Sequence, residues 1–410
     1  VSETAATITL GWTPVPGAVG YTFSVNGVRK SSTFDPMRST VRFGKVAGAT
    51  YGVTALGKLA SGKYPKPLID HPPSFWTGPL GNANPVPDAP GAFLIDYPGR
   101  GGGDYWDEAK LIVKQREQAM GRQFDALQVY YWGGGTVGGV SKCGFDRAVA
   151  DRRFQWAHDN ATAGFVCVTW SPDRTIPEVN SGAADDCFRF TADFFKSFGF
   201  TIMLRLFHEF DLNPGSYPWA VGGNSPNAGQ PFVQAWRRAV TIFQERGADN
   251  VGFWYCPLEM PSNRATADAC YPGDEYVDWC GSDPYNWAFV GEDFWTCPLG
   301  PGWATFDMCA GYQPSSGSVN LHDRFSDRKP FVYGETGTVY DKNYPPVKGD
   351  WYRGIPNTLE TVLPQALGIC FFDQDVSSVE GGKANWLVDY GAGSLDGFVE
   401  MSRDPWLNTR

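Results

Sequence analysis

From residue 91 onward the chain alternates short apolar runs with stretches of helical period. Eight runs stand out: 92–96, 126–132, 164–170, 200–207, 250–256, 276–283, 330–335 and 367–373. Each is nearly continuous in Val, Ile, Leu, Phe, Tyr or Trp and is bounded by turn residues, as strands buried on both faces are. Between them, 106–122, 145–160, 184–198 and 231–246 repeat apolar residues every three to four positions, which predicts amphipathic helices. Eight strand-helix units over about 320 residues predict a (β/α)8 TIM barrel. A doubly wound parallel sheet is the alternative, but eight sequential units fit it less well.

The first 60 residues follow another pattern. "ATITLGW", "GYTFSVNG", "STVRF" and "ATYGVTALG" alternate apolar and polar residues between Pro and Gly turns, and Val25-Asn26-Gly27-Val28 carries a hairpin signal. They predict a small all-β sandwich. Trp12 and Tyr51 resemble the core aromatics of a fibronectin type III module, although the stretch is short for one. Residues 61–90 hold eight prolines and little apolar period, which predicts a semi-rigid linker or strap. The expected organisation is therefore a β-sandwich over 1–60, a Pro-rich linker over 61–90 and a barrel over 91–410.

Composition narrows the function classes. With 44 acidic and 34 basic side chains the net charge is −10, which argues against nucleic acid as a partner. No run approaches 18 uncharged apolar residues, so no spanning helix is expected. Sixteen Trp and 18 Tyr offer flat faces for sugar rings, though a large aromatic core would use them equally well. The nine cysteines form no C-x-x-C pair, and the four His residues are too scattered to suggest a metal site. Cys167, Cys256 and Cys370 lie in apolar runs and read as buried thiols. Cys270, Cys280, Cys297 and Cys309 lie in a loop-rich stretch where they could pair, a weak pointer to an extracellular protein.

In a TIM barrel, chemistry gathers where the strands end. Asp96, Trp132, Trp170, His208 with Glu209, Trp254, Asp283 with Tyr285, Glu335, and Asp373 with Asp375 close the eight runs. Two glutamates on facing strands, Glu209 and Glu335, suit glycoside hydrolysis, in which one carboxyl protonates the leaving oxygen while the other attacks the anomeric carbon. Loop carboxylates in salt bridges are the plainer reading. Arg205 shares strand parity with Glu209, which predicts that it lies beneath Glu209 and tunes its pKa. Trp170, Trp254 and Trp287 are candidates for sugar-facing rings, and Tyr285 for a hydrogen bond to Glu335. Rim packing explains Tyr285 and Trp287 equally well. Gly133, Gly135 and Gly138 spell a G-x-G-x-x-G string that opens no helix and reads as a rim loop. Two carboxylates and water suffice, so no cofactor and no metal are required.

In order and spacing, "LRLFHEFD", "YPGDEYVDWCGSDPYNW", "KPFVYGETG" and "FFDQD…ANW" resemble the signatures of glycoside hydrolase family 26. That family contains β-mannanases, with some β-1,3-xylanases and mixed-linkage β-glucanases. The resemblance covers roughly residues 91–395. It implies a retaining endo-β-glycosidase acting on a polysaccharide, with Glu209 as acid/base and Glu335 as nucleophile. It further implies that His208 contacts substrate, Tyr285 positions the nucleophile, Trp287 and Trp386 line subsites, and Arg205 supports them. Phe210-Asp211, Thr336 and "FFDQD" depart from the family pattern at positions expected on the rim, which bears on mannan specificity. The N-terminal stretch resembles small β-modules on tail proteins of phages that infect actinobacteria. That likeness implies a secreted or virion-surface protein that cleaves, or only binds, a bacterial wall glycan.

Overall fold

The computed structural model describes side chains for residues 85–87, 91–99, 106–131, 152–223, 225–287, 303–311, 320–326, 328–340, 347–377 and 384–407. It adds the backbone of the N-terminal strands, of Trp132, of 136–137 and 140–141, and of 147–151. The chain divides into two compact units, one of Val1–Phe75 with Asp88–Pro90 and one of Trp76–Pro87 with Gly91–Arg410.

In the first unit, Ser2–Glu3, Thr7–Gly11 and Thr40–Gly44 make one antiparallel sheet, and Val28–Thr33, Ala18–Val25 and Tyr51–Gly57 make another. Val25 pairs with Val28, in agreement with the Asn26-Gly27 turn signal. The fibronectin-like packing expected around Trp12, and nearly all of the Pro-rich segment, lie outside the described residues.

The second unit is a closed barrel of eight parallel strands: β1 (Phe93–Tyr97), β2 (Ala126–Trp132), β3 (Phe165–Ser171), β4 (Thr201–Leu206), β5 (Val251–Tyr255), β6 (Trp279–Cys280), β7 (Phe331–Thr338) and β8 (Ala366–Phe372). Pairing runs in sequence order from β1 to β6, β7 joins both β6 and β8, and β8 closes on β1. All eight strands fall on the eight apolar runs. Helices at Trp106–Met120, Arg147–Asp159, Asp185–Lys196 and Gly229–Arg246 fall on the four periodic stretches. Among the described residues, no helix is long and apolar enough to cross a membrane.

Strand parity separates two cores. Phe93, Ile95, Ala126, Phe165, Cys167, Met203, Trp254, Trp279, Val332 and Cys370 face inward and plug the barrel. Leu94, Val166, Val168, Ile202, Leu204 and Leu206 face outward, against helix residues such as Phe188, Phe195, Trp236 and Phe243. Burying each such side chain contributes about 1.5–3 kcal/mol. The plug is therefore solid, and only the ends of the strands remain for chemistry.

This parity corrects one expectation. Trp170 lies in register with the outward Val166 and Val168. It is fully buried against Phe188, ring centroids 5.3 Å apart, and reaches no sugar-binding surface. Trp254 faces inward in register with Arg205 but is fully buried against Trp279 at 5.4 Å, so it offers no platform either. The cysteines bring a second correction. Cys270, Cys280 and Cys309 are buried and outside any disulfide, as are Cys167, Cys256 and Cys370, whereas Cys187 is disulfide-bonded; Cys297 lies outside the described residues.

Candidate active site

The site is assembled from residues just above the barrel plug. Tyr130, Thr169 and Arg205 occupy one level, because Thr169 pairs with both Tyr130 and Arg205 across adjacent strands. The guanidinium of Arg205 is fully buried and organises what lies above it. Its Nε donates to Thr169 Oγ1 at 2.9 Å, and its Nη1 donates to the two oxygens of Asp283 at 2.9 and 3.0 Å. Its Nη2 donates to Glu335 Oε1, which also accepts from the Tyr130 hydroxyl. Tyr285, from the short strand Tyr285–Asn286 beside β7, donates its hydroxyl to Glu335 Oε2 at 2.5 Å. Cys256 donates its thiol to Asp283 Oδ1 at 3.1 Å.

Two backbone features make room for this network. The β7–β8 register shifts between Tyr333 and Thr336, so Gly334 and Glu335 sit on a bulge that re-aims the glutamate. A Cβ on Gly334 would lie 2.6 Å from Arg205 Nη1 and 2.7 Å from Asp283 Oδ1, so only glycine lets the ion pair pass beneath Glu335. On the opposite side β4 ends at Leu206, and Phe207 and Glu209 take left-handed φ of 49° and 48°. Such backbone costs on the order of 1–3 kcal/mol per non-glycine residue and is held only where the surroundings demand it. Here the Glu209 amide donates to Cys256 O at 3.0 Å, and Asp211 accepts from the Leu258 amide at 3.0 Å and the Asn263 amide group at 3.1 Å.

This turn overrides the parity expected for "LRLFHEFD". Arg205 does not pair with Glu209. Its partners are Glu335 and Asp283, and Glu209 is approached instead by the Tyr217 hydroxyl at 3.4 Å. One carboxylate oxygen from each of Glu209, Asp283 and Glu335 lies within 4.8 Å of the other two. Burial, and then the negative charges of Glu335 and Asp283, hold the Glu209 carboxyl well above the ordinary range. The three carboxylates could in principle hold a cation. Both Asp283 oxygens and both Glu335 oxygens are, however, already engaged by Arg205, Tyr130, Tyr285 and Cys256. The guanidinium supplies the positive charge at the centre of the cluster.

His208 is buried among Tyr130, Tyr217 and Trp219, with ring centroids 6.0, 4.9 and 5.7 Å away. Burial, with Arg205 second, drives its pKa well below the usual value, so it is a neutral ring at neutral pH. Trp287 is partly exposed and packs edge-on to Trp386 at 4.6 Å. Trp386, expected to line a subsite, is only 2% exposed. It lies behind Tyr285 at 4.7 Å and acts as a buttress. The departures expected on the rim are also placed differently. Phe210, Asp211 and Thr336 are buried, and Thr336 Oγ1 donates to Pro284 O at 2.7 Å, so these residues shape the scaffold.

Asp283 stands at a run end that the sequence pointed to, whereas Tyr130, Thr169 and Tyr217 belong to the site without having been expected there. Tyr130 did leave a signal: Gln128 and Tyr130 are polar residues on alternate, inward positions of an otherwise apolar strand. Tyr217 left none, since it comes from an irregular loop.

The model of the family described as glycosyl hydrolase family 26 matches residues 191–295. That segment contains Arg205, His208, Glu209, Asp283 and Tyr285. Endoglucanase H of Acetivibrio thermocellus is 32% identical over 232 residues, which is 54% of this chain and 24% of that protein. The match thus spans about a quarter of the relative's length. Among solved structures, Bacillus subtilis mannanase man26 superposes with a TM-score of 0.51 at 14% identity, covering 81% of this chain and 89% of its own. A family 26 β-mannanase from Bacteroides ovatus gives 0.50 at 17% identity, covering 77% and 90%. At these identities the structural likeness shows the fold, the (β/α)8 barrel. The family-model match takes in Arg205, His208, Glu209, Asp283 and Tyr285 and stops short of Glu335, so over that segment the chain is similar to glycosyl hydrolase family 26.

Proposed function

We propose that the chain is a retaining endo-β-glycosidase of family 26 that cleaves a polysaccharide by double displacement. The observation that carries this reading is the pair Glu209 and Glu335. Their nearest oxygens lie within 4.8 Å, and their surroundings are opposite in kind. Retaining glycosidases hold their carboxyls about 5–5.5 Å apart, whereas inverting ones leave roughly 6.5–9.5 Å for a water. Three donors converge on Glu335, which suits a carboxylate nucleophile. Burial and then its negative neighbours push the Glu209 pKa up, which suits a general acid.

In the first step Glu335 attacks the anomeric carbon while Glu209 gives its proton to the departing glycosidic oxygen, leaving a glycosyl ester on Glu335. In the second, Glu209 takes a proton from water, which displaces Glu335 and frees the sugar. The oxocarbenium-like charge develops between the carboxylates, where fixed groups stabilise it without reorganisation. Trp287 at the rim is the ring placed to meet a sugar.

β-Mannan is the proposed substrate, on the likeness to mannanase folds. β-Glucan is the second reading, favoured by the relative named as an endoglucanase. Placement outside the cell belongs to the same proposal and rests on the polymeric substrate. The test is reducing-end release by wild type and Glu335→Gln on β-mannan, galactomannan, β-1,3-xylan, mixed-linkage β-glucan and bacterial wall polysaccharides. Cleavage of one polymer by wild type alone supports the reading and names the sugar. If Glu335→Gln retains wild-type activity, the assignment of the nucleophile falls. Binding without turnover by wild type would make the barrel a glycan-recognition module.

A further inference from the structure

Lys348 occupies a costly position. It is fully buried, and it stands in the first turn of the helix Val347–Thr361, where the helix dipole disfavours a cation. Burial pulls its amine down to about 7, against the opposing charges of Asp373 and Asp389. What the ammonium touches explains the placement. It donates to Leu387 O at 2.9 Å and to Asn385 O at 3.3 Å, the two carbonyls flanking Trp386. The same segment is fastened at two further points. Asp373 Oδ1 accepts from the Val388 amide at 2.8 Å, and Arg116, itself buried, bridges Asp373 at 3.2 Å and Asp389 at 2.9 Å.

Trp386 in turn touches the chemistry. Its ring packs on Tyr285 at 4.7 Å and lies over Gly337, where a Cβ would meet it at 3.0 Å. The Tyr285 hydroxyl reaches Glu335 Oε2. A continuous path of contacts therefore runs from Lys348 through the backbone of 385–387, the Trp386 ring and Tyr285 to the proposed nucleophile.

We propose that Lys348 is a positioning residue: by clamping the carbonyls on both sides of Trp386 it fixes the ring that holds Tyr285 against Glu335. The effect on catalysis rests on the function proposed above. The clamp itself does not, because it is a structural state of the aromatic stack. Lys348→Met keeps the length of the side chain and takes the ammonium from both carbonyls, leaving Leu387 O with the Tyr390 amide at 3.0 Å.

The experiment compares wild type, Lys348→Met, Tyr285→Phe and the double variant. It uses kcat and KM on the polymer that wild type cleaves, and near-UV circular dichroism as a readout independent of turnover. Lys348→Met is expected to lower kcat roughly tenfold, as a small misplacement of a catalytic group does, with KM within about twofold of wild type. The double variant is expected to be no slower than Tyr285→Phe alone, because both changes act through one hydroxyl. Losses that multiply would overturn the proposal, as would a folded Lys348→Met with wild-type kcat. If the methionine variant does not fold, Lys348→Gln, which keeps one donor, is held to the same coupling. If wild type cleaves no glycan the functional reading fails, and the clamp is judged by the near-UV spectrum alone. Lys348→Met must then lose the aromatic signal that Trp386→Phe loses, and an unchanged spectrum refutes it.

Discussion

Arg205 and Glu335 are joined by a buried ion pair across 130 residues of sequence, although Glu209 stands only four residues from the arginine. The strand ends at Leu206, and the left-handed turn at Phe207 and Glu209 carries the second glutamate off the arginine's line. The consequence is an asymmetric pair, with one carboxylate facing a cation and the other facing carboxylates.

That asymmetry sets a pH dependence. As the proposed acid, Glu209 has to carry its proton into the first step, so kcat/KM is expected to fall as pH rises through its raised pKa. In Glu209→Gln this basic limb disappears on aryl glycosides whose leaving group needs no protonation, while turnover of the polymer is lost. A basic limb unchanged in Glu209→Gln would assign it to another group.

The same shift has a stability consequence of definite sign. The pKa of Glu209 is higher in the folded than in the unfolded chain, so the folded state binds more protons and stability declines as pH rises between the two values. Glu209→Gln removes that loss. Its melting temperature should exceed wild type at pH 7 and match it below about pH 4, where both forms of the acid are neutral. Equal melting temperatures at pH 7 would contradict the shift.

Asp283→Asn leaves the Arg205 guanidinium buried with half of its charge balance. Breaking a buried pair from one side costs about 3–5 kcal/mol, measurable as a lower denaturation midpoint. A freed Arg205 also lets Glu335 shift, so kcat should fall more than KM rises.

Gly334→Ala places a methyl on Arg205, Cys256 and Asp283 together, each at 2.6–2.7 Å. Overpacking of this kind costs about 1–3 kcal/mol. Because the displaced groups hold Glu335, activity should drop even at temperatures where the variant is folded. An active, equally stable Gly334→Ala would show that the bulge can relax.

Trp287→Ala removes a partly exposed ring that rests on the buried Trp386. It should raise KM roughly tenfold with little change in kcat, the signature of lost uniform binding. Trp170→Phe, in the outer core, should lower stability and leave KM alone.

Much of this protein is legible in its sequence. Eight apolar runs became eight barrel strands because a strand buried on both faces has no choice but a continuous apolar sequence. Barrel geometry then pointed to the strand ends, and Glu209, Glu335 and Tyr285 were found there. Trp170 shows where the reading overshot: it closes its run, but parity turns it outward, and the neighbouring Val166 and Val168 already carried that information.

The sequence by itself determined the repeat and the fold class and offered the two glutamates as candidates, since these depend on local period and on position along the chain. Only the tertiary structure decided which partner each charge has. Arg205 chose Glu335 and Asp283 over Glu209, Trp386 moved behind Tyr285, and Lys348 reached the segment around Trp386. The physical reason is that hydrogen bonds and ion pairs act over about 3 Å in space, and a two-residue turn or a one-residue bulge redirects a side chain by more than that.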